Sequence, residues 1–260
     1  MKITLMKPDF NLWKLLVRLY LENPLSHVYL LHTLIYEIDK AKLLVKIDNN
    51  TITGYTLIRK TPRHPTLHCW GDCNCISILA SLKKGTFRIR IPEDVANEVF
   101  EKLTMIGKLA EKRRYFCMAT DGENFKPFKT GYAVKLDNKH AYHLIELEES
   151  RGRRVSLKKA EALLSRWRCY GVFDKGKLVS IACVVIRLPE VWVIGNVYTH
   201  PLFRGKGYAK VVTSAATRDA INSGARAMLH VREDNIPAIS VYKNLGYMVF
   251  DKEYWVTFIR

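Results

Sequence analysis

Two phrases near the C-terminus hold the residue types that could do chemistry. The first runs Tyr198-Thr199-His200-Pro201-Leu202-Phe203-Arg204-Gly205-Lys206-Gly207-Tyr208-Ala209. The second runs Asn235-Ile236-Pro237-Ala238-Ile239-Ser240-Val241-Tyr242-Lys243-Asn244-Leu245-Gly246-Tyr247. The first reads as a strand ending in a glycine loop that opens a helix. Glycine at 205 and 207 lets backbone approach a bulky anion with no Cβ in the way. The loop's N–H groups can converge on that anion, and the helix dipole adds positive potential. The second phrase sets Tyr242 one to two turns into a short helix, with Asn235 as N-cap and Gly246 as the stop. Together they suggest a diphosphate-bearing cosubstrate with a proton donor near its reactive end.

Each phrase alone also has a plainer reading. The loop could be an ordinary strand-to-helix turn that needs positive φ, and Tyr242 a core aromatic with its hydroxyl satisfied at the rim. The loop lacks the Gly-Lys-Ser/Thr ending of a nucleoside-triphosphate loop and the spacing of the dinucleotide fingerprint.

The paired phrases resemble the GCN5-related N-acetyltransferase (GNAT) superfamily. Its pyrophosphate signature, Arg/Gln-x-x-Gly-x-Gly/Ala, is matched by Arg204-Gly205-Lys206-Gly207-Tyr208-Ala209, with alanine last. Its following motif, Asn-x-x-Ala-x-x-x-Tyr-x-x-x-Gly-Phe/Tyr, is matched at Asn235, Ala238, Tyr242, Gly246 and Tyr247. The resemblance implies an N-acetyltransferase that moves an acetyl group from acetyl-CoA to a primary amine by direct attack. It implies that Val197, Tyr198 and Thr199 offer backbone groups to the pantetheine arm. The N–H groups of Gly205, Lys206, Gly207, Tyr208, Ala209 and Lys210, with Arg204, would hold the pyrophosphate. Asn235 would contact the cofactor arm and Tyr242 would protonate the departing thiolate. For the base, His230 stands where related N-terminal acetyltransferases often carry glutamate, and Asn196 stands at another frequent base position. His230 reads more readily as a strand histidine facing the sheet, and water relayed through Asn196, or Glu190 at the strand start, is the other route to a base. A non-catalytic acyl-CoA-binding or RNA-binding protein on the same scaffold is the alternative.

The elements that must carry these residues follow from periodicity. Leu12–Leu21 and Val28–Ile38 repeat apolar residues at helical steps, and Leu43–Ile47 with Ile52–Ile58 reads as a hairpin. His68–Trp70 and Phe87–Ile91 read as strands, Ser77–Leu82 and Pro92–Leu103 as helices, and 115–119 and 132–136 as further strands. Asp137-Asn138-Lys139-His140 reads as a linker. After it, 142–147 looks like a strand, Ser156–Ser165 a helix, and 169–173, 178–186 and 191–198 a meander. The glycine loop's helix runs to Ile221, 227–231 is a strand, 235–245 a helix, and 247–250 and 254–259 two strands. The expected fold class is α/β (α+β): a mixed central sheet flanked by helices, in two GNAT-like domains in tandem. The boundaries are 1–137, a degenerate copy without a glycine loop, and 138–260, the acetyl-CoA-binding copy. The arrangement is also similar to the glycine N-acyltransferase-like branch.

Composition bounds the partners. The 260 residues carry a formal charge of +17, but no block is dense enough to make a nucleic-acid arm, so nucleic acid is not the favoured partner. The start lacks the apolar stretch of a signal peptide, and no segment is an uninterrupted span, so a cytoplasmic protein off the membrane is expected. The amine acceptor is unread, and a homodimer is allowed. The six cysteines are expected to be free thiols. His68-Cys69-Trp70-Gly71-Asp72-Cys73-Asn74-Cys75 lacks paired metal spacing, so no metal is expected.

Overall fold

The computed structural model describes residues 8–73 and 75–260, with the backbone alone of Cys75. Part of the His68–Cys75 phrase therefore lies outside the described residues, as does the chain start through Lys7. The helices are α1 (Phe10–Glu22), α2 (Pro24–Tyr36), α3 (Cys75–Ser81), α4 (Ala96–Ile106), α5 (Ala141–Glu149), α6 (Leu157–Arg166), α7 (Tyr208–Asn222) and α8 (Ile236–Asn244). The strands are β1 (Ala41–Asp48), β2 (Thr51–Arg59), β3 (Thr66–Gly71), β4 (Thr86–Pro92), β5 (Lys108–Thr120), β6 (Val134–Leu136), β7 (Arg168–Asp174), β8 (Lys177–Arg187), β9 (Val191–Thr199), β10 (Arg226–Arg232) and β11 (Met248–Ile259). The chain divides into two compact units, Met1–Phe116 with Asp251–Arg260, and Cys117–Phe250. The divisions fall inside β5 and inside β11.

In the first unit Asp9 caps α1 by accepting from Leu12 N at 2.8 Å, and Asn23 caps α2 by accepting from Ser26 N. Their apolar stripes, with Leu16, Leu19, Leu30 and Leu34, close over Leu43, Val45 and Leu57 of the β1–β2 hairpin. On a second core, Leu79 and Leu103 pack with Leu67, Ile89 and Phe258. β4 runs parallel to β3 and antiparallel to β11, from Glu253↔Pro92 to Ile259↔Thr86. Two expectations are corrected here. Pro92 closes β4 and the helix starts only at Ala96; proline's missing N–H is tolerated at a strand terminus. The two strands expected at 247–250 and 254–259 are one, β11. The polar triplet Asp251-Lys252-Glu253 reads as a break, yet Arg90 Nη2 donates to Glu253 Oε1 at 2.7 Å and keeps the carboxylate in the sheet.

In the second unit β6, β7, β8 and β9 form an antiparallel meander, and β9 pairs in parallel with β10. The helix α7 makes that crossover. The expected linker at 137–140 is a single 3-10 turn, in which Asp137 Oδ1 accepts from Lys139 N and His140 Nδ1 accepts from Asp137 N. That turn launches α5, so 142–147 is helix and not strand. Ala141, Leu144, Leu147 and Glu148 are buried at three- and four-residue steps, and tertiary burial of that stripe settles the choice. The cysteine expectation is also corrected. Cys169 and Cys183 stand opposite each other in the β7–β8 register and are joined as a disulfide, whereas Cys69, Cys73 and Cys117 are in no disulfide. Among the described residues no helix is long and apolar enough to cross a membrane.

Candidate active site

The site begins with a flaw in a ladder. Between Ile181↔Tyr198 and Cys183↔Gly195, two residues of β8 advance against three of β9. The surplus is a β-bulge, and Asn196 there takes φ 50°, the left-handed region that asparagine tolerates. On its other edge β9 pairs with β10 only from Val191↔Arg226 to Val193↔Met228. Both strands continue well beyond that pairing. They part, and a stretch of β9 is left with no ladder partner on that side among the described residues.

A cleft of about 620 Å³ lies at this parting. β9 contributes Val197, Tyr198 and Thr199 to its lining. The loop contributes Arg204, Gly205 and Gly207, and the first turn of α7 adds Tyr208, Ala209 and Lys210. From α8 and its cap come Asn235, Ala238 and Tyr242.

The loop is held from behind. Pro201–Phe203 form one 3-10 turn, capped by His200, whose Nδ1 accepts from Leu202 N at 3.2 Å. Arg204 Nε donates back to Thr199 O at 3.3 Å. Gly205 and Gly207 both take φ 80°, which an L-residue adopts only with strain. A Cβ built on Gly205 would meet nothing within 4 Å, so the space beside it is open to a ligand. Gly207 caps α7 without a side chain, which leaves the first N–H groups of that helix uncovered by any capping oxygen. Such a helix start favours an anion.

Lys206 is not part of the cleft lining. Its Nζ lies 3.6 Å from Asp174 and 5.0 Å from the centre of the Phe203 ring. Tyr208 donates its hydroxyl to Asp174 at 2.8 Å. That bond holds the Asp174 carboxyl below the usual carboxylate range and raises the Tyr208 phenol. Lys210 stands 4.3 Å over the Phe128 ring.

The other wall depends on α8. Asn235 spends its side-chain oxygen on Ala238 N at 3.3 Å, a cap at the helix start. Tyr242 is buried, and burial pushes its phenol up to about 12. Behind it, Gly246 at φ 90° lets the chain pass Asn124, whose carbonyl oxygen would lie 1.9 Å from an added Cβ. Tyr247 then bonds Thr217 Oγ1 at 2.6 Å, so Tyr242 stands on a fully buried base.

The two proposed bases are placed elsewhere. His230 Nδ1 lies 3.3 Å from Cys117 Sγ, and neither residue lines the cleft. Asn196 turns its side-chain oxygen to Arg151 Nη1 at 2.8 Å. Arg151 also lies 3.5 Å from the buried Glu148, which Arg153 approaches at 3.4 Å, and covers the Tyr198 ring at 4.8 Å. Tyr198 in turn donates its hydroxyl to Ser150 O at 3.0 Å. Sequence reasoning missed this Glu148–Arg151 support of the bulge, because it read 142–147 as strand. Helical spacing would have put Glu148 on the buried stripe with Leu144 and Leu147.

Comparison with known proteins bears on the fold. Residues 169–256 match the family model described as FR47-like protein. A solved Drosophila protein superposes with TM-score 0.66 at 15% identity, over 96% of this chain and 89% of its own. A GNAT-family acetyltransferase from Colwellia psychrerythraea gives TM-score 0.59 at 14% identity, over 99% of this chain and 100% of its own. A tandem GNAT protein from the clavulanic acid biosynthesis pathway gives 0.58 at 15%, over 95% of this chain and 93% of its own. No curated protein matches the chain. The fold is therefore that of the GNAT proteins over nearly the whole chain.

Proposed function

We propose that this chain, with a GNAT fold and an FR47-like C-terminal region, is an N-acetyltransferase that passes an acetyl group from acetyl-CoA to a primary amine. One observation carries the reading: the glycine loop, the uncapped start of α7, the free edge of β9 and Tyr242 all border one cleft. Acetyl-CoA as substrate supplies the thioester. In this reading the N–H groups from Gly205 to Lys210 bind its diphosphate, and the free β9 edge receives its amide-bearing arm as a strand would. Strand N–H groups beside the bulge stabilise the oxyanion that amine attack creates. Tyr242 gives its proton to the departing sulfur.

The raised phenol keeps that proton on Tyr242 across the working pH range. An unperturbed thiol sits near 8.5, so transfer is uphill and useful mainly as the C–S bond breaks. Among the residues lining the cleft none is a carboxylate or histidine, so the amine's proton goes to water. Turnover then rises with pH as the acceptor amine deprotonates.

The test is acetyl-CoA turnover with a panel of primary amines, read as free thiol. Tyr242→Phe should lower kcat about a hundredfold while calorimetry shows CoA affinity unchanged. Wild-type kcat should show no alkaline fall up to about pH 10, since the donor titrates near 12. Unchanged kcat in Tyr242→Phe removes the donor role. CoA binding without turnover of any amine would favour an acyl-CoA-binding protein, a reading that the occupied side chains of His230 and Asn196 also suit.

A further inference from the structure

A second cleft, of about 500 Å³, lies wholly within the first unit. It has the size of a small-molecule site, and its chemistry follows from strand register. Arg59, Thr66, Arg88 and Thr257 stand in one cross-strand row over β2, β3, β4 and β11. Leu57, His68, Arg90 and Trp255 form the next row, two residues along each strand. Alternation puts both rows on the same face. The opposite face carries Leu67, Ile89 and Val256 of the α3–α4 core. The polar face is thus an arginine-and-aromatic surface, and Tyr29 and Thr33 of α2 complete the cleft.

The charges on it are unequal in kind. Arg59 is met by Glu37 at 2.9 Å and Arg90 by Glu253 at 2.7 Å. Arg90 is moreover clamped over the Tyr29 ring at 4.2 Å. These two are structural. Arg113 shares only a half-exposed pair with Glu111, which costs little to exchange. Arg88 is exposed, and its side chain makes no ion pair or hydrogen bond with any described residue. Beside these two arginines in the cleft lining, Tyr115 and Trp255 stack at 4.3 Å and 21°, with the Arg90 guanidinium over the Trp255 ring at 5.3 Å, which makes a rigid aromatic wall.

We infer that this cleft binds a small molecule in which a planar ring carries an oxyanion, carboxylate or phosphate. The ring lies against the Trp255–Tyr115 stack, and the oxyanion takes the donors of Arg88, with Arg113 released from Glu111. Guanidinium suits both oxyanions because its planar fork matches their geometry. The site lies outside the β9–β10 cleft and does not depend on acetyl transfer there.

Isothermal titration calorimetry on the full chain tests it, and dependence on Arg88, which lines this cleft and not the other, assigns the heat to this site. The probes are 2-naphthoate, the uncharged 2-naphthalenemethanol, AMP, and a single-stranded RNA oligomer. The expected result is saturable one-to-one binding of 2-naphthoate or AMP, weakened roughly tenfold or more by Arg88→Ala. Trp255→Leu should weaken the same probe, and the uncharged ring should bind at least tenfold less tightly. Naphthoate alone names a carboxylate as the source, and AMP alone names a phosphate. Arg88→Ala sits on an exposed strand position, and an unchanged melting curve confirms its fold. The inference falls if neither acid binds at about 1 mM, if binding ignores Arg88, or if the uncharged ring binds equally. RNA binding that depends on Arg88 without saturable binding of either small acid also overturns it, in favour of a nucleic-acid surface.

Discussion

Tyr242 and His27 show how burial alone sets what a side chain can do. Each is enclosed with little polar support, and each is kept neutral. For Tyr242, in the reaction proposed above, neutrality would preserve a proton for transfer. For His27, in the first unit, it makes folding pH-dependent. The ring sits edge-on to Trp70 with Nδ1 3.2 Å from Tyr55 Oη, and burial pushes it down from 6.5 to about 4. A depressed histidine favours folding fully above its unfolded value, and that contribution is lost as pH falls from 6.5 towards 4. Denaturation at pH 7.5 and 4.5 should differ by about 2 to 3 kcal/mol more in the wild type than in His27→Gln. Equal pH dependence in the two proteins would show that His27 does not carry it.

At the scale of elements, the glycine motifs separate two jobs that look alike in sequence. Gly205 and Gly246 both have positive φ. Beside Gly205 a Cβ has open space, whereas beside Gly246 it meets the Asn124 carbonyl. Gly205→Ala should therefore cost about 1 to 2 kcal/mol of stability and, if the proposed acetyl-CoA reading holds, raise KM for acetyl-CoA roughly tenfold by intruding on the loop. Gly246→Ala should cost about 3 kcal/mol or more, from overpacking and φ strain together. Thermal melts with steady-state kinetics separate the two. Equal stability losses would contradict the open space at Gly205.

At the scale of the whole molecule, the C-terminal ten residues belong to the N-terminal unit. Residues 253–259 pair along β4, and Val256 and Phe258 lie in the α3–α4 core. Fragment 1–137 lacks them and would leave β4 with an open edge and an uncovered core. It should show no cooperative unfolding by circular dichroism. The same fragment with 251–260 fused through a flexible linker should regain a sigmoidal transition. A cooperative melt of 1–137 alone would mean that β11 is dispensable. The +17 charge fits a chain in which single arginines, such as Arg88, remain open to anions.

The sequence by itself determined the local backbone of the glycine loop and of α8. Gly205, Gly207, Asn235, Pro237 and Gly246 act through backbone φ, capping and missing atoms, which are properties of single residues and their neighbours. It also determined most strands, since their alternation is local. Only the tertiary structure decided the rest. That 142–147 is helix depends on which face finds a core. That Cys169 meets Cys183 depends on the β7–β8 register, and that β11 runs unbroken depends on Arg90, 163 residues away from Glu253. Asn196 and His230 were legible as residue types, yet their partners, Arg151 and Cys117, come from other elements. The arginine face of the first unit went unread for the same reason. Its rows run across strands, where distances along the chain say nothing about distances in space.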